Sequence, residues 1–405
     1  MTSVVIIGAS HAAAEAISSL KKKGFDGQII LIGDEKLLPY QRPPLSKKYF
    51  NDEVTIEQLY IKGPATYDDA GVVQMLGRTV EAIDRDAKSV SLDGGEQVHY
   101  DKLIIATGTR ARHLPVPGAD LPQIKYLRTK DDVDQIKALL KPQSRLLIVG
   151  AGYIGLEVAA SARKQEVEVT VLEAMERVLQ RVTSPVVSEF YQQVHQQEGV
   201  DVRLNAMLQE FVGDAENCKA VLAGGESIDF DLAIVGIGVI PNTELAENAG
   251  LACDNGIVVD EYTQTADPDI YAVGDCSNHP SLIYDRQLRL ESVPNAMGQA
   301  RTAALSICGE QVVYDEVPWF WSDQYDVKLQ TVGLCQDYDE IVVRGEPEQR
   351  KFAAFYLQQG RLIAVDAINS PAEFMISKKL VANRAQPAAE QLADAAVPIK
   401  TLLTS

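Results

Sequence analysis

Basic residues are the scarcer charge in this chain of 405 residues: 38 Lys and Arg face 57 Asp and Glu, a formal net charge of −19. A surface of that sign repels phosphate backbones and anionic headgroups, which argues against nucleic acid and acidic membranes as partners while still permitting a local basic patch. Cysteine is sparse too. Cys218, Cys253, Cys276, Cys308 and Cys335 stand apart with no C-x-x-C among them, so neither a dithiol relay nor a disulfide framework is visible. His11, His99, His113, His195 and His279 are equally scattered, and no metal-ligand spacing emerges. No apolar run approaches the roughly 20 residues of a membrane helix, and Met1-Thr2-Ser3-Val4 carries no basic leader region, so a cytoplasmic protein is expected. What remains is 46% hydrophobic and 23% charged, an ordinary folded composition, and its length predicts about three domains at roughly 150 residues each.

Against these absences stand two dinucleotide-binding fingerprints. Arg145–Val149 reads as a buried strand, Gly150-Ala151-Gly152-Tyr153-Ile154-Gly155 opens a helix, and the next strand ends at Glu173. Strand Val4–Ile7 likewise leads into Gly8-Ala9-Ser10-His11-Ala12-Ala13, and strand Ile29–Ile32 ends at the acidic pair Asp34 and Glu35. In such a unit one glycine makes the tight turn, one lets backbone approach a pyrophosphate, and one lets helix pack on strand. The pyrophosphate rests on the helix N-terminus and the acid binds ribose hydroxyls. Two such units in strand–turn–helix context imply two redox cofactors exchanging electrons, a flavin and a nicotinamide. The first unit departs from the pattern: Ser10 and Ala13 stand where glycines are usual. The Cβ of Ser10 crowds the pyrophosphate approach, while its hydroxyl offers a donor.

The elements between the fingerprints predict an α/β fold. A helix over Ala12–Lys23 and the turn Tyr40–Lys47 precede strands at Val80–Ile83, Ser89–Leu92 and Lys102–Ala106, the last closing in Ala106-Thr107-Gly108. Pro115, Pro117, Gly118 and Pro122 mark a crossover. Strand Leu232–Val235 closes in Gly236-Ile237-Gly238 and reads as the return crossover. Strand Asp269–Val273 ends in Gly274-Asp275 before an expected helix start. Beyond Pro318, strands at Val327–Val332, Glu340–Val343, Lys351–Leu357 and Arg361–Ala367, with a hairpin at Gln358-Gln359-Gly360, precede a helix at Pro371–Asn383 and a tail expected to be loosely attached.

These motifs resemble the oxygenase-coupled, NADH-dependent ferredoxin reductases along essentially the whole chain. The marks are Pro39-Tyr40-Gln41-Arg42-Pro43-Pro44-Leu45-Ser46-Lys47, Ile104–Gly108, Tyr126-Leu127-Arg128-Thr129, Val149–Glu157, Ala272–Cys276, Glu291–Ala296 and Pro318–Gln324. The resemblance implies the glutathione reductase fold: two Rossmann-like dinucleotide-binding domains and a C-terminal α+β domain. The expected division is 1–109 and 236–317 for FAD, 110–235 for NAD, and 318–405 for the C-terminal domain. It implies FAD contacts at Ala12, Asp34, Lys47, Val80, Arg128, Asp275 and Val293, with Gly8, Ser10, Ala13, Glu35, Arg42, Ala106, Thr107, Gly108, Gly238 and Gly274 shaping the cofactor sites. Gly150, Gly152, Tyr153, Ile154, Gly155 and Glu173 are matched to NAD. Glu157 and Glu291 resemble acids near the nicotinamide, and Trp319 and Trp321 the aromatics beside the flavin, so Lys47, Glu157, Glu291 and Trp321 form the expected catalytic set. No metal is expected.

Each assignment has a plainer competitor. Glu173 as a surface strand cap competes with a ribose ligand that would repel a 2′-phosphate and favour NADH. Arg177, one turn later, invites misreading as a phosphate ligand. Lys47 as a solvated lysine competes with a cation near the flavin, fixed by the stiff Pro43-Pro44 lead-in. Glu157, inside the second Rossmann helix, needs a partner if buried, either Lys47 or the nicotinamide amide. Trp319 and Trp321 share one strand face, as core anchors or as a flavin wall and docking surface. His11 receives no role. Segment Pro43–Phe50 holds no sulfur, whereas disulfide reductases of this fold carry a cysteine pair there. The expected outlet is therefore single-electron transfer to a 2Fe-2S ferredoxin feeding a cytochrome P450 or a ring-hydroxylating dioxygenase. Lys47, Lys48, Arg301, Lys378, Lys379 and Arg384 are candidates for its docking patch. A reductase of rubredoxin or a small acceptor, and a protein like apoptosis-inducing factor, share the same cofactor motifs; a disulfide reductase is disfavoured by the missing cysteines.

Overall fold

A computed structural model describes residues 2–214 and 217–403; Met1 and the last two residues of the expected tail lie outside them. The chain forms two compact units. The first takes the chain up to Gln41, Ile56–Arg110 and Ile240–Pro318; the second takes Arg42–Thr55, Ala111–Val239 and the chain from Trp319.

In the first unit, strands Ile270–Ala272, Lys102–Ile105, Ser3–Ile7, Gln28–Gly33 and Val72–Leu76 lie side by side in that order as a parallel sheet. Val4, Val5 and Ile6 have no exposed surface, as befits a central parallel strand covered on both faces. On one face, helices His11–Lys22 and Val293–Ile307 meet through Ala12, Ala13, Ala16, Ala300, Ala303 and Ala304, side chains small enough for close approach. On the other face, Val5 and Ile7 join Val80, Val90, Leu92 and Val98 from the antiparallel strands Val80–Asp84, Ser89–Leu92 and Gln97–His99. The helix expected directly after Gly274-Asp275 is absent. Gly274–Cys276 makes a single 3₁₀ turn, strands Ser277–Ser281 and Arg286–Leu288 follow, and the helix starts only at Val293, capped by Ser292. Pro294 at its first turn and the Ser292 hydroxyl on the Asn295 amide set that start.

The second unit repeats the parallel architecture with strands Asp201–Arg203, Glu168–Leu172, Arg145–Val149, Leu232–Val235 and Ile124–Tyr126. An antiparallel meander, Leu208–Gly213, Cys218–Leu222 and Ser227–Phe230, adds to it. Segment Arg42–Thr55, inside the stretch read as FAD-binding, packs in this unit. The Tyr49 hydroxyl donates to Asp134, the Lys137 ammonium to the Tyr49 carbonyl, and the Gln165 amide to Asn51.

The C-terminal part is an antiparallel sheet ordered Trp319–Gln324, Val327–Gly333, Arg361–Ile368, Lys351–Gln358 and Glu340–Glu346. Gln359 and Gly360 both take positive φ, 51° and 76°, the two-residue turn whose twist matches a hairpin. The tail, expected to hang loosely, is packed instead. Leu392, Ile399 and Leu402 are buried, and the buried Arg344 guanidinium donates to the carbonyls of Leu392, Asp394 and Val397 while pairing with Glu373 at 3.2 Å. A composition rich in Ala and Pro concealed this, because the anchor is an arginine some 50 residues upstream.

Replacing Arg344 by Met removes all four contacts and strips Glu373 and the Leu392 and Val397 carbonyls of this donor, while the Asp394 carbonyl keeps the Val397 amide, so a loss of about 3 kcal/mol is expected in urea unfolding. Limited proteolysis should then cut first beyond Asn383.

Candidate functional site

The two fingerprints solve one geometric problem in the same way. Gly8 and Gly150 sit at φ +109° and +105°, and a Cβ on either would fall 2.2 Å from the Ala106 carbonyl oxygen or 2.5 Å from that of Gly236. Each first glycine is thus pressed against the exit of the neighbouring strand, and only glycine fits. A Cβ on Gly155 would meet the Gly150 oxygen at 2.2 Å, so the third glycine lets helix Tyr153–Arg163 close onto its own loop. The middle position differs. Gly152 has φ −80°, and a Cβ there meets nothing within 4 Å; its counterpart Ser10 has φ −140°. The backbone is extended at both, which is why serine is accepted at position 10 without strain.

Both turns suit a pyrophosphate. Neither helix has an acidic residue in its first turn, neither Ser10 nor Gly152 caps its helix with a side chain, and the space over Gly152 is open. The acids differ. Glu173 folds back on its loop, accepting from the Ala151 amide at 2.8 Å and the Met175 amide at 3.0 Å, which brings it beside the second fingerprint. In the first unit Asp34 is exposed at its strand end, while Glu35 accepts the Tyr40 hydroxyl at 2.7 Å. Arg177 is spent on Thr183, Gln180 and Ser188 and holds the loop after Glu173 together.

Around the first fingerprint the structure gathers Ala12, Gly274 and Ala296: a Cβ on Gly274 would lie 3.4 Å from that of Ala296 and 3.8 Å from that of Ala12. The Thr107 hydroxyl and carbonyl are both engaged by Asn242, which fixes the Ala106-Thr107-Gly108 exit, and Gly108 turns at φ +62°. The Thr109 hydroxyl points to Asp275 at 3.4 Å. Val293 begins its helix half-exposed, whereas the Val80 side chain is core, leaving only its backbone for a ligand. Glu291 pairs with Arg289 at 2.7 Å, and Arg289 also donates to the Asp275 carbonyl.

In the second unit Glu157 is buried, 5% exposed, and ionically partnered: Lys47 Nζ lies 2.5 Å from Oε2, the Ser46 hydroxyl donates to the same oxygen, and the Ser322 hydroxyl donates to Oε1 at 2.7 Å. The Ser161 hydroxyl holds the Ser46 carbonyl, and Arg42 donates to the Arg128 carbonyl. Thr129, beside Arg128, caps helix Lys130–Leu139 in a reciprocal pair with Asp132. Gly238 turns at φ +103°, and Ile154 is exposed on the second Rossmann helix. Trp319 and Trp321 share one strand face, their rings 5.8 Å apart, with the Lys378 ammonium 4.5 Å over Trp319. The other basic candidates scatter: Arg301 pairs with Glu15 and Glu316 in the first unit, and Lys379 is exposed.

Residues 2–300 match the pyridine nucleotide-disulphide oxidoreductase family, and 319–403 match the reductase C-terminal family. The chain belongs to the pyridine nucleotide-disulphide oxidoreductase family. It is 45% identical to putidaredoxin reductase CamA of Pseudomonas putida across 99% of this chain and 97% of that one. It is 43% identical to the rhodocoxin reductase of Rhodococcus erythropolis, covering 98% and 93%. The crystal structure of the covalent putidaredoxin reductase–putidaredoxin complex superposes with a TM-score of 0.96 at 43% identity, covering 100% and 98%. The fold is therefore the glutathione reductase type with a C-terminal antiparallel sheet, and this oxidoreductase uses FAD and a pyridine nucleotide. All five cysteines are free thiols, so the disulphide in the family's description has no counterpart here. No helix among the described residues is long and apolar enough to cross a membrane.

Sequence reasoning passed over Ser46, Ser322, Gln299 and Arg289. Strand alternation carried a signal for one: with Trp319 and Trp321 on one face, Ser322 falls on the other. Gln299 lies mid-helix and announces nothing, yet its Oε1 accepts from the Gly274 amide at 2.7 Å and the Ser277 hydroxyl, and its Nε2 faces His279 Nδ1 at 2.9 Å.

Burial holds the His279 imidazole at a pKa of about 4, below its ordinary 6.5. The neutral ring's stabilisation is complete above 6.5 and is lost as pH falls toward 4, costing up to about 3 kcal/mol. H279Q should flatten the acid side of the stability–pH curve by that amount; an unchanged curve would remove the assignment.

Proposed function

We propose that this protein is an NADH-dependent ferredoxin reductase, delivering electrons singly to a 2Fe-2S ferredoxin that serves a cytochrome P450 or a ring-hydroxylating dioxygenase. One observation carries the reading. Where disulfide-reducing members of the fold place sulfur, segment Pro43–Phe50 supplies Lys47, ion-paired to Glu157, and the chain offers no thiol pair to receive two electrons together. A protein carrier is the remaining outlet. The relatives, reductases named for putidaredoxin and rhodocoxin, support the same acceptor class.

When bound, NADH supplies two electrons and FAD releases them one at a time. The chain's part is positioning. Gly8, Ser10, Ala12, Ala13, Asp34, Glu35, Ala106, Thr107, Gly108, Gly274, Asp275 and Val293 hold FAD. Gly150, Gly152, Tyr153, Ile154 and Gly155 seat the NADH pyrophosphate, and Glu173 accepts from the adenosine ribose hydroxyls while its charge excludes a 2′-phosphate. Glu157, its charge neutralised by Lys47, would orient the nicotinamide amide, and Glu291 and Trp321 are the further proposed catalytic residues. Free thiols fit a cytoplasmic location, where reduction keeps them unpaired.

Anaerobic mixing tests the function directly. NADH should bleach the flavin, and added oxidised 2Fe-2S ferredoxin should then be reduced over many turnovers. Bleaching without transfer to any ferredoxin tried would overturn the acceptor; no bleaching would overturn the nicotinamide site. E173A should lower kcat/KM for NADH about 10- to 100-fold, the worth of a charge-assisted hydrogen-bond pair, and raise that for NADPH as the repulsion leaves with the charge. An equal loss for both nucleotides would show that Glu173 does not discriminate.

A further inference from the structure

The inner face of strand Trp319–Gln324 carries Phe320, Ser322 and Gln324, and the last two have 0% and 1% exposure. Phe320 packs edge-on against Tyr153, 4.7 Å between centroids, which seats this strand on the second Rossmann helix. From Ser322 a line of polar groups runs through the buried Gln324 and His195 to the half-buried Tyr325. Ser322 Oγ is 2.7 Å from Glu157 Oε1; Gln324 Nε2 is 3.2 Å from Ser322 Oγ; His195 Nε2 is 2.8 Å from Gln324 Oε1; the Tyr325 hydroxyl is 3.2 Å from His195 Nδ1. His195 itself has no exposed surface.

The direction of every link is forced from one end. Glu157, ionised beside Lys47, only accepts, so Ser322 spends its single proton on it. Ser322 must then accept from Gln324, which has to present its NH₂ there and its carbonyl to the histidine. His195 must donate through Nε2, and in the neutral ring Nδ1 is left bare to accept from Tyr325. Burial favours that neutral ring and holds its pKa at about 4. A donor chain of uniform polarity, buried from His195 to Ser322, fixes a carboxylate more tightly than isolated hydroxyls would, because each bond polarises the next.

We propose that Tyr325, His195, Gln324 and Ser322 are positioning residues of this reductase: a one-way donor chain that locks the Glu157 carboxylate, and through it the Lys47 ammonium, in the geometry needed at the nicotinamide. The proposal rests on the assignment of Glu157 and Lys47 to that site. His195 is the anchor of the chain and takes part in no proton transfer, since the Gln324 amide interrupts any relay.

Two measurements on the FAD-loaded protein decide it. Histidine ¹⁵N NMR on the unaltered enzyme should find His195 neutral at pH 7, protonated at Nε2 and bare at Nδ1; an imidazolium or the opposite tautomer overturns the chain. The second is Q324E, which keeps the shape of the side chain but turns both its terminal atoms into acceptors. Infrared spectroscopy first establishes that the new side chain is ionised; as a carboxylate it accepts from His195 and competes with Glu157 for the one proton of Ser322. Stopped-flow reduction of the flavin at saturating NADH should slow about tenfold, with NADH affinity within twofold of the original. A role in packing alone predicts an altered melting temperature with an unchanged rate, and that result overturns the proposal. E157Q separates the two levels. If E157Q is slow and Q324E is not, the chain alone is overturned; if E157Q reduces its flavin at the original rate, the site assignment falls and the chain's role falls with it. Should Q324E not fold, the tautomer measurement on the unaltered enzyme still decides.

Discussion

A carboxylate removed from water is the constraint around which the second unit is arranged. Taking Glu157 into the interior costs several kcal/mol unless donors replace its hydration. The chain brings three from two places distant in sequence: the hydroxyl of Ser46 and the ammonium of Lys47 from one, and the hydroxyl of Ser322 from the other. Meeting that demand fixes the path of segment Arg42–Thr55, the rotation of helix Tyr153–Arg163 and the seat of strand Trp319–Gln324. It also explains why the Pro43-Pro44 lead-in matters: a stiff approach lowers the entropy lost in delivering Ser46 and Lys47 together.

The parallel sheets of both units place a strained glycine at the same point and for the same reason. At Gly8 and Gly150 the carbonyl of an adjacent strand exit occupies the volume a Cβ would need. The middle position is under no such restriction, and there the two fingerprints diverge to Ser10 and Gly152. The acids diverge as well. Glu173 is tied to the loop it serves, while in the first unit the duty is split between an exposed Asp34 and a Glu35 held by Tyr40.

Both units also use a buried glutamine to couple a neutral histidine to working backbone or side chain: Gln299 between His279 and the Gly274 turn, Gln324 between His195 and Ser322. A primary amide donates at one end and accepts at the other, so it transmits orientation without carrying charge into the core. The histidines stay neutral because burial disfavours the charged ring.

The sequence by itself determined what depends on local pattern: both strand–turn–helix fingerprints with their terminal acids, the apolar strands that fill the sheets, the Gln358–Gly360 hairpin, and the absence of sulfur at Pro43–Phe50. Glycines at fixed offsets and apolar runs report short-range sterics and burial, and these are written in adjacent residues. The tertiary structure alone decided what depends on distant partners. It seated Arg42–Thr55 in the second unit, delayed the helix after Asp275 to Val293, tied down the C-terminal stretch through Arg344, and surrounded Glu157 with two serines and a lysine. None of these has a periodicity to read, because a hydrogen bond between residues more than 100 positions apart leaves no trace in the local pattern of either.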